Sequence, residues 1–123
     1  MKINSFDIDG VITIGLYPGP DDIIITGRSF EESPETLKML KNKGITNDVY
    51  FNPLPYDEKT RVSSGEHKAN ILNQFKDRYD FGYHIEDDEI QKEIIERLCP
   101  WLTVVHVVHN LTNKENCRHT EDL

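Results

Sequence analysis

The chain has 123 residues, 37% of them hydrophobic and 29% charged, which is typical of one globular domain around a single core. Its formal net charge of −8 argues against broad electrostatic binding to duplex DNA. No apolar run approaches the roughly 20 residues of a membrane span, no secretory-signal pattern is visible, and two distant cysteines, Cys99 and Cys117, suit free thiols in a cytoplasmic protein.

Strands and helices alternate through the first half of the chain. Gly27 is expected to end the second strand. Ser33 suits a helix N-cap, Pro34 suits the first helical position, and Gly44 is a natural stop. In chain order we predict a strand at about 2–7, a Gly- and Pro-rich excursion at 11–20, a strand at 22–26, a helix at 33–44, a strand at 48–51 and a loop at 52–62.

The second half continues the alternation. Ser63 followed by Glu66 is a capping-box pattern, which predicts a helix with Lys68 in its first turn. Cys99-Pro100 closes the third helix. We predict a helix at about 63–75, a strand at 81–85, a helix at 90–98 and a strand at 103–108. The core domain would span residues 1–110, followed by a polar C-terminal tail at 111–123.

Alternating strands and helices predict a parallel sheet with right-handed crossovers. Ligands of such sheets bind outside the carboxyl ends of the strands. Asp7, Thr26 and the acidic group 86–88 all follow strands at that edge. Because gathered carboxylates repel one another unless a cation lies among them, the pattern indicates a cation site.

The segment Asp7-Ile8-Asp9-Gly10 carries two carboxylates where the first strand turns over. Gly10 lets the chain bend so that both can approach one ligand. An ionised Asp can attack phosphorus, and a second acid can protonate the leaving oxygen. The alternative is a plain Asp-Gly turn with solvated acids.

The other candidate residues also have structural interpretations. Thr26 could simply end a strand, and Lys68 and Arg28 could be solvated surface residues. Residues 86–88 could cap a helix, which leaves open which two of the three acids would bind a metal. The histidines at 84, 106 and 109 are interpreted as core or edge residues, because positions 106 and 109, three apart on a strand, point to opposite faces.

Four motifs occur in order: FDIDGVIT at the first strand, IIITGR at the second, Lys68 on a helix, and HIEDD at the fourth strand. With them the sequence resembles the haloacid dehalogenase superfamily of phosphohydrolases, over about residues 3–108. The resemblance implies a three-layer Rossmann-like α/β sandwich with a five-stranded parallel sheet. It also implies a Mg²⁺-dependent phosphatase acting on phosphomonoesters.

The resemblance assigns a role to each motif residue. Asp7 would be the nucleophile and a metal ligand, and Asp9 the general acid and then base, with its backbone carbonyl on the metal. Thr26 and Lys68 would contact the transferring phosphoryl group. Glu86 and Asp87 would complete the Mg²⁺ site, although Asp is more usual at the first of these positions. Substrate contacts are expected from three further residues, Gly10, Gly27 and Arg28.

About 16 residues separate Asp9 from Thr26 and about 41 separate Thr26 from Lys68, which leaves no room for a cap domain. An open site suits a large phosphorylated substrate, such as a nucleotide, a nucleic-acid end or another macromolecule, or a partner subunit that covers it. A signalling receiver domain uses similar residues but places its acidic pair after the first strand and its Lys after the last strand. Here Lys68 precedes Glu86 and Asp87, so the order of the motifs argues against a receiver domain. The remaining alternative is a metal-binding or interaction domain that keeps the scaffold without turnover.

Overall fold

A computed structural model describes residues 1–109, and both the predicted tail at 111–123 and Cys117 lie outside the described residues. Five strands and three α-helices follow one another in the order expected from the sequence. The strands are β1 (Lys2–Phe6), β2 (Ile23–Ser29), β3 (Val49–Asn52), β4 (Asp80–Glu86) and β5 (Thr103–His106). The helices are α1 (Ser33–Asn42), α2 (Arg61–Phe75) and α3 (Glu89–Leu98), with single 3₁₀ turns at Ile12–Ile14 and Phe30–Glu32.

All five strands are parallel and lie in the order β3-β2-β1-β4-β5, which confirms the predicted α/β fold with a Rossmann-like sheet. After β1, the chain adds β2 and β3 on one side of it. It then crosses over and adds β4 and β5 on the other side, so the sheet has a topological switch point between β1 and β4. Open parallel sheets bind their ligands at such a switch point, outside the carboxyl ends of the two strands.

Each face of the sheet carries its own hydrophobic core, because successive strand residues point to opposite sides. Ile23 and Ile25 face α2 and α3, while Ile24 between them faces α1. The α2–α3 core contains Ile3, Ala69, Leu72, Phe81, Ile95, Cys99 and Leu102, and the α1 core contains Phe6, Ile8, Val11, Ile12, Leu40 and Ile45. Apolar residues on both faces are typical of strands covered by helices on each side.

Three predicted element ends are wrong, and one of them is the end of β5, which stops at His106 rather than at residue 108. Gly27 does not end β2, which continues to Ser29 through an irregularity in its pairing with β3 between Ile25 and Ser29. Helix α2 begins at Arg61 rather than after Ser63, because Thr60 is the N-cap and forms the capping box with Ser63. Lys68 therefore lies in the middle of α2 and not in its first turn.

Gly65 lets α2 and α3 approach closely. A Cβ atom at this position would lie 3.1 Å from the Ile94 side chain and 3.2 Å from the Gln91 Cα atom. The two helices cover the same face of the sheet, and the contact at Gly65 sets their separation one helical turn before Lys68.

The chain between β1 and β2 forms only a 3₁₀ turn, and the chain between β2 and α2 holds α1, β3 and a loop. Within residues 1–109, no inserted unit of cap size is present. The helices in this part of the chain are also too short and too polar to cross a membrane.

Candidate active site

Lys68 joins two carboxylates at the carboxyl end of the sheet. Its Nζ atom donates to Asp7 Oδ1 at 3.0 Å and to Glu86 Oε1 at 2.8 Å. Asp7 follows β1, Glu86 ends β4, and Lys68 reaches them from α2. All three side chains are buried. The structure therefore brings together three of the residues that the sequence analysis selected, at the switch point of the sheet.

Strand pairing explains why Asp7 and Glu86 meet. Phe6 pairs with Ile85 across β1 and β4, so the next residue of each strand lies at the same level of the sheet. The Asp7 backbone N–H also donates to the Ile85 carbonyl at 3.1 Å, which continues the pairing past the end of β1. Helix α2 covers this level of the sheet and supplies the ammonium group.

Burial and mutual charge shift the pKa values of Asp7, Glu86 and Lys68. Burial raises the pKa of Asp7 well above its usual range, the Glu86 charge raises it further, and Lys68 lowers it only in part. Burial works against the charged forms of Glu86 and Lys68 too. The Lys68 charge nevertheless holds the pKa of Glu86 below its ordinary value, and the charges of Asp7 and Glu86 hold the pKa of Lys68 above its ordinary value. The ionised forms of Glu86 and Lys68 are thus favoured, whereas Asp7 loses its proton less readily than an exposed Asp, and added positive charge would offset this.

Asp87 completes an acidic cluster with Asp7 and Glu86. One carboxylate oxygen from each of the three residues lies within 4.8 Å of the others. Gly10 packs against this group, since a Cβ atom on Gly10 would collide with Asp87 Oδ2, and its φ of +85° is one that few other residues adopt. The Asp9–Gly10 turn thus lies directly beside the cluster.

Asp88 caps helix α3 and pairs with Arg61 instead of joining the acidic cluster. Its side chain caps α3 by accepting hydrogen bonds from the backbone N–H groups of Ile90 and Gln91. Arg61 donates to both Asp88 oxygens, at 2.8 and 3.1 Å. These contacts hold the pKa of Asp88 below its usual value although burial opposes them. Of the three consecutive acids, the structure places only Glu86 and Asp87 beside Asp7.

Arg28 contacts Asp9. Its Nε atom donates to Asp9 Oδ2 at 2.8 Å and its Nη2 atom to Oδ1 at 2.7 Å, so both carboxylate oxygens are bound. Its third nitrogen donates to Thr36 Oγ1 at 3.1 Å. In this structure the guanidinium predicted to bind substrate thus binds the carboxylate predicted to act as acid and base.

Thr26 and Gly27 lie in the irregular part of β2. Thr26 is fully buried, and its hydroxyl oxygen accepts a hydrogen bond from the Arg28 backbone N–H at 3.1 Å. In the register that pairs Phe6 with Ile24, Thr26 lies two residues further on, level with the chain that follows β1. Both residues thus lie near the carboxyl edge of the sheet.

The donor set fits a hard divalent cation. Carboxylate oxygens are the ligands that Mg²⁺ prefers, and Asp7, Glu86 and Asp87 supply three of them at one point. The resemblance adds the Asp9 backbone carbonyl as a fourth candidate ligand, and the next residue, Gly10, packs on Asp87. A cation here would also offset the repulsion between Asp7 and Glu86 that raises the pKa of Asp7.

The histidines around the cluster, which the sequence indicated as core or edge residues, contact Glu86 and Asp87. His84 is fully buried, and its Nε2 atom lies 2.9 Å from Glu86 Oε1. His106 and His109 do not point apart as predicted, because β5 ends at His106 and strand alternation no longer applies. Their Nε2 atoms instead converge on Asp87, at 3.1 Å from its backbone carbonyl and 3.0 Å from its Oδ2 atom.

The sequence contains one indication that His84 contacts Glu86. It lies two residues before Glu86 in a predicted strand, so the two side chains share a face. The convergence of His106 and His109 had no such signal, because it depends on where β5 stops.

The chain matched no protein-family model, no curated protein and no solved structure when compared with each of these sets.

Proposed function

We propose that this protein is a Mg²⁺-dependent phosphomonoester hydrolase in which Asp7 attacks phosphorus. One observation carries the proposal: Asp7, Glu86 and Asp87 gather at the switch point of a parallel sheet, with the Lys68 ammonium between two of them. Phosphoryl transfer needs positioning and neutralisation of spreading negative charge more than it needs covalent help from the protein. The resemblance to the haloacid dehalogenase superfamily agrees with this arrangement.

In the first step, an Asp7 oxygen forms a bond to phosphorus while the bond from phosphorus to the leaving oxygen breaks. Lys68 donates to Asp7 Oδ1, which leaves Oδ2 as the attacking atom. Asp9, protonated on the oxygen that Arg28 releases, gives this proton to the leaving oxygen, so the alcohol departs uncharged. The product is an aspartyl-phosphate on Asp7.

In the second step, water attacks phosphorus and the bond to Asp7 breaks. Asp9, now a carboxylate, takes the proton from that water, and inorganic phosphate leaves with Asp7 regenerated. Arg28 binds both Asp9 oxygens in the resting structure and must release one of them for either proton transfer. Thr26 and Lys68 offer a hydroxyl and an ammonium to the phosphoryl oxygens.

Mg²⁺, when bound, neutralises phosphoryl charge and allows an anionic substrate to approach several carboxylates. Asp7, Glu86, Asp87 and the Asp9 carbonyl are the groups that would hold it. Asp88 would not, since its oxygens are bound by Arg61 and by the amino end of α3.

The proposed substrate class rests on the expectation from the sequence that no cap domain covers the site. With no cap-sized insertion in residues 1–109, a large phosphorylated molecule fits better than a small metabolite that must be enclosed. We propose nucleotides, nucleic-acid ends or phosphorylated macromolecules as substrates. A partner subunit that covers the site and a cytoplasmic location stay predictions from the sequence.

Release of phosphate from p-nitrophenyl phosphate with Mg²⁺ tests the proposal. Asp7→Asn should abolish release, because an amide cannot act as the nucleophile. Asp21→Asn is the matched control, since it makes the same chemical change at an exposed residue away from the cluster. EDTA should stop turnover and excess Mg²⁺ should restore it. Turnover that survives Asp7→Asn or EDTA would contradict the proposal.

The alternative is a metal-binding or interaction domain on the same scaffold without turnover. The contact of Arg28 with both Asp9 oxygens favours it, because the group needed for proton transfer is engaged at rest. In that case metal binding would be retained, and neither p-nitrophenyl phosphate nor a panel of phosphorylated nucleotides and oligonucleotides would be hydrolysed.

A further inference from the structure

A line of buried polar groups continues behind the active-site lysine. Ser5 Oγ lies 2.7 Å from His84 Nδ1, and His84 Nε2 lies 2.9 Å from Glu86 Oε1. The same Glu86 oxygen accepts from Lys68, which also donates to Asp7. Ser5, His84 and Glu86 are each 0% exposed and Lys68 is 1% exposed. The line therefore runs from the middle of the sheet to the proposed nucleophile without reaching solvent.

The line follows from strand register. Ser5 and His84 are paired residues of the parallel strands β1 and β4, so their side chains lie side by side on one face. Glu86, two residues beyond His84, falls on the same face. Lys68 reaches that face from α2, which covers it.

The direction of each hydrogen bond in the line can be assigned. An ionised carboxylate only accepts, so His84 Nε2 must carry the proton that it shares with Glu86. In the uncharged ring the other nitrogen, Nδ1, is then an acceptor, and the Ser5 hydroxyl donates to it. Glu86 thus selects the tautomer of His84, and Ser5 holds the ring by donating to the nitrogen that carries no proton.

Glu86 Oε1 consequently has two donors, one from Lys68 and one from His84. With both in place, the carboxylate has one orientation and Lys68 has a fixed partner beside Asp7. A histidine that only filled space would not have both ring nitrogens in use at 2.7 and 2.9 Å. Removing a donor from a buried carboxylate leaves a poorly satisfied charge, which favours movement of the side chain or uptake of a proton.

We propose that His84, oriented by Ser5, is a positioning residue that fixes the Glu86 carboxylate for metal binding and for its contact with Lys68. The kinetic consequence rests on the proposed phosphatase function. The effect on metal affinity and the tautomer do not, and the experiment uses this difference.

The first test compares His84→Gln with His84→Leu. Gln can place an amide N–H near the Nε2 position, whereas Leu fills space without a donor. Second-shell partners of metal sites typically change affinity or activity by about 10- to 100-fold. We therefore expect His84→Leu to weaken Mn²⁺ binding, measured by electron paramagnetic resonance, by about this factor and to lower kcat similarly with KM nearly constant. His84→Gln should recover most of both losses.

Ile95→Val is the matched control. It removes a methyl group from a fully buried residue in the α2–α3 core, on the same side of the sheet but outside the polar line. Circular dichroism establishes that each variant is folded before binding is measured. Ile95→Val should bind Mn²⁺ with the affinity of the wild type.

The second test concerns Ser5. Ser5→Ala should weaken Mn²⁺ binding in the wild-type background and have little further effect in His84→Gln, because Ser5 acts only through the imidazole ring. Imidazole nitrogen chemical shifts of the wild type should report a proton on His84 Nε2 and none on Nδ1. This measurement needs neither a substrate nor a metal, and it covers the case in which His84→Leu fails to fold.

The outcomes separate the two proposals. Suppose that the wild type hydrolyses no substrate, yet it binds Mn²⁺ more tightly than His84→Gln, which in turn binds more tightly than His84→Leu. The phosphatase proposal then fails and the positioning role stands. If folded His84→Leu binds Mn²⁺ as the wild type does, or if the proton lies on Nδ1, the positioning role is overturned whatever the activity.

Discussion

Charged side chains at the carboxyl end of the sheet contact groups of opposite sign on other elements. Lys68 of α2 pairs with Asp7 and Glu86, while Arg28 of β2 pairs with Asp9 after β1. Removing one member of a buried pair leaves the other charge uncompensated, which costs more than the pair itself contributes. Substitutions that test individual roles here should therefore preserve shape and alter one property at a time.

Arg28→Lys separates two roles for Arg28. A lysine keeps the positive charge but cannot bind both Asp9 oxygens, because its ammonium is a point charge rather than a planar fork. If Arg28 orients Asp9, kcat for p-nitrophenyl phosphate should fall by about 10- to 100-fold with KM within a factor of about three. If Arg28 binds substrate, as the sequence suggested, KM should rise instead.

Arg78→Lys provides the matched control for this experiment. Arg78 is exposed and precedes β4, at the opposite end of the sheet from Asp9. Its substitution should leave both kinetic constants unchanged. A parallel loss in Arg78→Lys would assign the Arg28→Lys result to a general effect on the fold.

The order and type of the elements followed from local pattern, whereas several of their ends did not. Gly27 was expected to stop β2, but strand pairing with β3 carries the chain on to Ser29. Ser63 was expected to cap α2, yet the Thr60 side chain accepts from Ser63 in the cap observed. The end of β2 depends on pairing with a neighbouring strand, which no single segment of sequence contains, whereas the start of α2 depends on which of two local capping patterns forms.

The same distinction applies to the site. Asp7, Glu86 and Lys68 could be selected because strand ends and motif order are visible in the sequence. The contacts of His84 with Ser5 and of Arg28 with Asp9 could not, since they depend on register across β1 and β4 and on the path of β2 past its irregularity.

Gly65→Ala tests whether the α2–α3 contact positions Lys68. Helix propensity alone would make this change stabilising by about 1 kcal/mol. The added Cβ atom, however, would lie 3.1 Å from Ile94 and 3.2 Å from the Gln91 backbone. We expect the cost of overpacking to exceed the gain in helix propensity. The free energy of unfolding should fall by about 1–2 kcal/mol, and kcat should fall too.

Urea denaturation and steady-state kinetics measure the two effects of Gly65→Ala. Asn70→Ala is the control, because residue 70 is exposed on the same helix and its change affects propensity without packing. A more stable Gly65→Ala protein with unchanged kcat would show that α2 and α3 can separate without disturbing Lys68.

At the scale of the whole molecule, stability should depend on pH through His67. Burial, helped by the Lys68 charge, lowers the pKa of His67 to about 4, although a contact with the Tyr50 carbonyl opposes the shift. The unfolded chain, with a histidine pKa near 6.5, binds the proton more readily than the folded protein. This contribution to stability is therefore complete above pH of about 6.5 and is lost as the pH falls toward 4.

His67→Gln removes that titration. Between pH of about 7 and 5 its Tm should fall less than the Tm of the wild type, a difference equivalent to about 1–2 kcal/mol because the ring is only partly buried. Thermal unfolding followed by circular dichroism at several pH values measures both slopes. Parallel slopes for the two proteins would contradict the lowered pKa of His67.

The central claim is that Asp7 becomes covalently phosphorylated, and trapping that species tests it most directly. In Asp9→Asn the base for the second step is missing, while p-nitrophenol leaves with little help from an acid, so the phosphorylated enzyme should accumulate. The variant is incubated with p-nitrophenyl phosphate and Mg²⁺, quenched in acid and analysed by fragmentation mass spectrometry. The claim predicts phosphate on Asp7; release of p-nitrophenol with no phosphate on the chain, or with phosphate on another residue, would contradict it.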